Sequence, residues 1–219
     1  GYEVQSRLSL ALGPSDHYDR GYHPTATCGI FGAVAAAGKL LGMDADQIDS
    51  GFGIALSQSA GSMQFLADGA WTKRSHVGQA AQNGLMCAVM ALEGFKGPRH
   101  AFEGKWGFLH AYAPNADHAK ATKDLGTEWQ TMRLAVKPFP SCRYTHAAMD
   151  ALQKIMKDEG VTADEVEAVE IGLPKTGMKI VSFPEDAKHN PESVVDGQFS
   201  MPFCAAVVLS EGTMLWDHY

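Results

Sequence analysis

Apolar positions in the first half of the chain recur every three to four residues. Ile30, Val34, Ala37, Leu40 and Leu41 keep helical spacing, with Gly38 and Gly42 bracketing their end. Ile48, Phe52, Ala55 and Leu56 share one side of a second helix from Asp44 to Ala60. Ser75 to Leu92 repeats the period with a thin face of Ala80, Ala81, Gly84, Ala88 and Ala91. Side chains this small let helix axes approach closely, as in a bundle. The pattern changes near Thr127. Met132 to Val136 alternates ahead of a proline pair, Tyr144 to Asp158 is helical, Val166 to Leu173 alternates like a half-exposed strand, and Met178 to Phe183 fits a further strand. Asp186 to Gly197 reads as a loop and Pro202 to Leu209 as a helix. The expected fold class is a large all-helical bundle domain over residues 1–126 followed by a smaller α+β domain over residues 127–219.

Composition narrows the setting. A chain of 219 residues with 45% apolar content holds one large or two ordinary domains with a real core. No apolar run approaches the roughly 18 residues of a membrane span, and the start lacks the basic and small-residue marks of an export signal. Cys28, Cys87, Cys142 and Cys204 lie far apart with no C-x-x-C pair, so neither a zinc knuckle nor a disulfide framework is indicated and a reducing, cytoplasmic compartment is the default. A net charge of −7 argues against a nucleic-acid surface. The chain lacks an initiator methionine and both ends run through patterned sequence, so a portion of a longer polypeptide is expected.

Against that acidic background, local cations carry more weight. In "GYHPTATCG" Pro24 suits the first helical position, which makes His23 the cap residue beside unpaired first-turn N–H groups. "WTKRSHVGQAA" puts Lys73 and Arg74 just ahead of a helix that Ser75 could cap, with His76 in its first turn. "VKPFPSCRYTHAA" places Lys137 at a strand end and Ser141 at a cap, followed by Arg143 and His146. A cation at a helix N-terminus is locally unfavourable, and an anion between the two removes the cost. The repetition points to a polyanionic ligand. A solvated face is the plain alternative for each place taken singly. Cys142 and His146 have the spacing of a metal edge without a companion pair, and no dinucleotide, P-loop or nucleophile-elbow motif occurs.

The blocks "GYHPTATCGIFGAVAAAGKLLG", "SQSAGSMQFLADGAWTKRSHVGQAAQNGLMCAVMALEGFKGP", "EGKWGF", "VKPFPSC" and "DGQFSMPFCAA" together resemble the MmgE/PrpD family, in the family's order and over nearly the whole chain. That resemblance implies a helical domain with an α+β lid, usually in homodimers, and an active site in a cleft between domains. It places catalytic roles on His23, Lys73 and Lys137, with Arg74, His76, Arg143 and Phe203 as substrate-binding candidates; some members have tyrosine at the Phe203 position. It also places an acidic residue and another histidine ahead of Gly1. The implied activity is a lyase for a small polycarboxylate with no cofactor and no metal, since cations can bind the acid groups and stabilise an enolate-like intermediate while His23 moves protons. Elimination of water from 2-methylcitrate, as in propionate catabolism, is the leading expectation. Decarboxylation of cis-aconitate and epimerisation of iminodisuccinate are its enzymatic alternatives. A non-catalytic carboxylate-binding or assembly subunit is the alternative of another class.

Overall fold

Small residues govern how the first half packs. In a computed structural model that describes all 219 residues, the first unit comprises residues 1–65 and 71–134 and the second residues 66–70 and 135–219. The first unit holds α1 (Tyr2–Leu12), α2 (Pro14–Asp19), α3 (Pro24–Thr27), α4 (Gly29–Leu40) and α5 (Ala45–Leu56). A short α6 (Phe65–Asp68) precedes α7 (Thr72–Leu92), α8 (Phe108–Tyr112) and α9 (Ala119–Thr122). Helix α7 runs along α4 and α5, burying Ala80, Gly84, Cys87, Ala88 and Ala91 against a core that includes Ile30, Phe31 and Val34. A Cβ on Gly84 would collide with the Ala33 methyl and stand 2.6 Å from the Ile30 carbonyl oxygen, so the absence of a side chain there sets the helix separation. Phe31 meets Phe102 and Phe108 edge-on at centroid distances of 5.1 and 4.8 Å, closing the apolar end of the core. Asp44 and Gln47 form a reciprocal capping box that starts α5.

The other end of the unit is closed by a buried ion pair. Arg7, 3% exposed, pairs with Glu3 and donates to the Lys123 and Glu128 carbonyls at 2.6 and 2.7 Å. Desolvation works against the charge on Glu3. Hydrogen bonds from the Thr131 and Gln130 backbone and from Arg7 overcome it and hold the carboxyl at about 2. Residues 123–131 are thereby tied to α1.

The second unit holds α10 (Arg143–Glu159), α11 (Lys175–Val181), α12 (Glu185–His189), α13 (Val194–Gln198) and α14 (Met201–Glu211). Helix α10 packs on α14 around Met149, Cys204, Val208 and Met214. No helix of the protein is long and apolar enough to cross a membrane.

The helical expectations hold, but the strands do not form, and the α+β character of residues 127–219 is not seen. Met132 lies in a 3-10 turn (Gln130–Arg133), and Met178 to Val181 belong to α11. Val166 to Leu173 has no ladder partner in this chain; Ile171 and Leu173 still turn toward the core while Gly172 faces out. Alternation reports which side is buried, whereas a strand also needs a neighbour to hydrogen-bond. The expected loop from Asp186 to Gly197 includes the end of α12 and most of α13, the latter capped by Ser193.

The close approach of α4 and α7 yields a test within one helix. Gly84→Ala should lower the unfolding free energy by about 1–3 kcal/mol through overpacking. Gly78→Ala, where nothing lies within 4 Å, should raise it by up to about 1 kcal/mol through helix propensity. Urea unfolding of both variants reads the two signs.

Candidate active site

Local pairing places His23. The Tyr22–Ser62 bridge, with His23 N–H on the Gly61 carbonyl at 2.9 Å and Met63 N–H on the Gly21 carbonyl at 2.8 Å, clamps the segment ahead of Pro24. Pro24 does occupy the first helical position and His23 the cap, in extended backbone. The cap is not the anion cradle expected of it. Helix α3 has only four residues, and the Ala26 and Thr27 N–H groups both bond the His23 carbonyl.

Helix α7 supplies the partner. It begins at Thr72 rather than Ser75, whose hydroxyl donates to the Thr72 carbonyl at 2.9 Å instead of capping. Lys73 therefore sits in the first turn and His76 about one turn later. Nδ1 of His23 lies 3.1 Å from Nδ1 of His76, with ring centroids 5.4 Å apart. Phe65, 2% exposed, sets its ring edge-on to both imidazoles at 6.1 and 6.0 Å.

Burial and a neighbouring cation disfavour protonation of this pair. Burial, then the charge of Lys73, then those of His76 and His17 lower His23 to about 4. Burial and Lys73 lower His76 as well. Two neutral imidazoles joined through Nδ1 must hold opposite tautomers, because one donates and the other accepts. The donor ring then has a bare Nε2, and the acceptor ring carries Nε2–H. The pair thus presents one bare Nε2 and one Nε2–H within the field of Lys73.

Sequence reasoning left two features of this unit out. His17, fully buried, stacks on Tyr22 at 5.1 Å and reaches Thr27 Oγ1 at 2.8 Å and the Tyr112 carbonyl at 3.3 Å, fixing the floor under His23. A cavity of about 260 Å³ beside His76 is lined by Gln58, Ser62, Gln79 and Asn83. His76, Gln79 and Asn83 follow helical spacing on one face of α7, the signal that could have grouped them.

The remaining candidates have their own settings. Arg74 lies over the Trp71 ring at 5.1 Å. In the second unit Lys137 Nζ donates to the Ser141 carbonyl at 3.1 Å. Arg143 is exposed at the start of α10, whose cap is Cys142 rather than Ser141. Phe203 stacks on Tyr219 at 5.9 Å and is packed against the second core. Nowhere do three or more His, Cys, Asp or Glu side chains gather in a metal-holding group.

A family model of the MmgE/PrpD N-terminal domain matches residues 1–121 and one of the MmgE/PrpD C-terminal domain matches residues 139–219. The chain belongs to the MmgE/PrpD family. It is 29% identical to the cis-aconitate decarboxylase-like protein oryM of Aspergillus oryzae, over all of this chain and 47% of that protein. Identity to a cis-aconitate decarboxylase of Aspergillus terreus is 27% over 95% of this chain and 44% of the relative, and to that of Homo sapiens 26% over 92% and 44%. The chain spans about half the length of the curated relatives it matches.

The lowered value of His23 gives a signed pH dependence. A histidine whose folded-state value lies below its unfolded value of about 6.5 is protonated more readily on unfolding. Its contribution to stability is complete above about pH 6.5 and is lost as the pH falls toward the folded value of about 4. An NMR titration should place the His23 midpoint near pH 4, and Lys73→Met should raise it. An unmoved midpoint in that variant would remove Lys73 as a cause and leave the depression to burial and the two neighbouring histidines.

Proposed function

We propose that this chain is part of a cofactor-independent lyase for a small polycarboxylate, with decarboxylation of cis-aconitate as its reaction. The observation that carries the reading is the 3.1 Å Nδ1–Nδ1 contact of His23 and His76 under the charge of Lys73. The named reaction of the relatives supports decarboxylation over the elimination of water from 2-methylcitrate that the blocks of sequence first suggested.

The chemistry suits the residues. Loss of CO2 from the tricarboxylate breaks a carbon–carbon bond and leaves the electron pair on the carbon skeleton, conjugated with a remaining carboxylate. One proton is then taken up at carbon, so a trianion gives a dianion and neutral CO2. Lys73 pairs with a carboxylate and stabilises the charge as it delocalises toward oxygen. The ring that carries Nε2–H delivers the proton as its Nδ1 takes the partner's hydrogen, and the partner's bare Nε2 takes a replacement from solvent, so both rings end neutral. Lys137 and Arg143 are proposed as further cations for the carboxylates. Dehydration stays as the second reading, because opposite tautomers put a base for the α-proton and an acid for the leaving hydroxyl side by side.

The test is an NMR and mass-spectrometric assay of the intact polypeptide that contains this chain, in deuterated water with chelator, against cis-aconitate, 2-methylcitrate, citrate and iminodisuccinate. Consumption of cis-aconitate with release of CO2 and deuterium in the product is expected. Turnover of 2-methylcitrate would establish the dehydratase and of iminodisuccinate the epimerase. Silence on all four from folded protein would leave a carboxylate-binding subunit. Against the substrate so found, His23→Ala and Lys73→Ala should each lower turnover by about 10²–10⁴-fold, with unfolding midpoints recorded beside the rates.

A further inference from the structure

We propose that His146 is the positioning residue of Lys137, acting through the carbonyl of Ser141. Lys137 Nζ donates to that oxygen at 3.1 Å and His146 Nε2 lies 3.3 Å from it. A carbonyl oxygen has two lone pairs and can accept both. Because it can only accept, the contact fixes Nε2 as the nitrogen that carries hydrogen, and Nδ1 is left as a bare lone pair. That atom is buried without a partner, in a ring only 2% exposed. Burial of the imidazole lowers its affinity for a proton, and the charges of Lys137 and Arg143 add to this against the opposing Ser141 carbonyl. Protonation of His146 is thereby disfavoured, and Nε2 remains a donor to this oxygen in either state.

The surroundings explain why such a donor matters. Pro138 and Pro140 carry no backbone N–H, so this loop is held largely by its carbonyls. The Pro140 oxygen takes Gln198 Nε2 at 3.1 Å and the Tyr219 hydroxyl at 3.0 Å, and the Cys142 N–H meets the Gln198 carbonyl at 2.8 Å. Buried Phe139 sets its ring edge-on to His146 at 5.4 Å. His146 reaches back from the first turn of α10 to fix the next carbonyl in line, and Lys137, exposed along its stem, ties its head to the same oxygen. An ammonium has three donors. One spent on Ser141 leaves two aimed as a set, where a free lysine would spread them over many rotamers. The inference rests, for its consequence in turnover, on the reading of Lys137 as a carboxylate-binding group.

The experiment compares wild type with His146→Gln, which keeps an N–H at similar reach, and His146→Leu, which fills the space without one. NMR relaxation of the lysine ammonium groups in the 219-residue chain should show Lys137 ordered in wild type and in His146→Gln. In folded His146→Leu it should be as mobile as exposed Lys157. Unchanged order of Lys137 in His146→Leu overturns the proposal. Should that variant fail to fold, the imidazole nitrogen shifts of wild type decide: hydrogen on Nε2 is required, and hydrogen on Nδ1 alone sinks the idea. In the active polypeptide His146→Leu should raise KM about tenfold, as loss of a hydrogen bond that organises a charged group would. The glutamine variant should restore it, and no further loss should appear in a Lys137→Ala background. Full turnover of Lys137→Ala would end the carboxylate reading of that lysine, while the ammonium order would still decide the role of His146.

Discussion

The contact between α4 and α7 is the constraint on which the first unit depends. Where Gly84 crosses Ile30 and Ala33 there is no room on α7 even for a methyl group. Dispersion between closely packed backbones and small methyls is weak per atom, and its gain comes from number and from the exclusion of water. The same contact has a geometric effect. Helix α7 carries Lys73 and His76 near its start, and the segment that continues into α4 carries His23. A hydrogen bond between two imidazole nitrogens tolerates only a few tenths of an ångström of error. The helices that present those rings must be fixed to that precision. Interfaces of glycine and alanine suit this purpose, since they have few rotamers through which to relax.

The second theme is a cation placed where it raises the cost of charging its neighbours. Burial is the largest of the causes that lower His23, and Lys73 adds to it rather than relieving it. A carboxylate beside Lys73 would offset its field at both imidazoles and let a ring accept a proton more readily than before. Proton transfer is thereby linked to occupancy. On the proposed reading, in a chain of net charge −7, the charge of Lys73 would also give a polycarboxylate a favourable landing point amid general repulsion.

Part of this was legible in the residues and part was not, for definable reasons. The helical periods of Ile30 to Leu41 and of Ser75 to Leu92 survive in the structure, and Ile30, Val34, Ala80, Gly84, Ala88 and Ala91 are buried as their spacing implies, although Leu40, Leu41 and Ala81 are exposed. His23 at the cap before Pro24 was readable from the fixed φ of proline. The helix start at Thr72 was not, since Ser75 has the composition of a cap and yet bonds a carbonyl inside the helix. Alternation over Val166 to Leu173 reports the inward side at Ile171 and Leu173 but not at Ala168 and Val169, which are exposed, and says nothing of a ladder. The pairing of His23 with His76, 53 positions apart, leaves no local trace, nor does the joint hold of Lys137 and His146 on one oxygen. The family's sequence blocks brought His23 and Lys73 forward. Only coordinates show which atoms meet.

The reactions open to such a site share more than their names suggest. Loss of CO2, loss of water and inversion at carbon all pass through negative charge at a carbon next to a carboxylate, and a lysine beside that carboxylate lowers all three barriers alike. Cations therefore cannot select among the reactions. Selection must come from the orientation of the bond that breaks, because only a bond aligned with the conjugated system can give its electrons to it. On the proposed reading, the discriminating groups are those that hold the uncharged or departing part of the substrate. The cavity beside His76, lined by Gln58, Ser62, Gln79 and Asn83, has that character. Its carboxamides and hydroxyl can orient a ligand through hydrogen bonds without adding charge, and its wall is built from the same face of α7 that carries His76. A change among these residues would shift the outcome of the reaction while leaving the histidine pair and its neighbouring lysine intact.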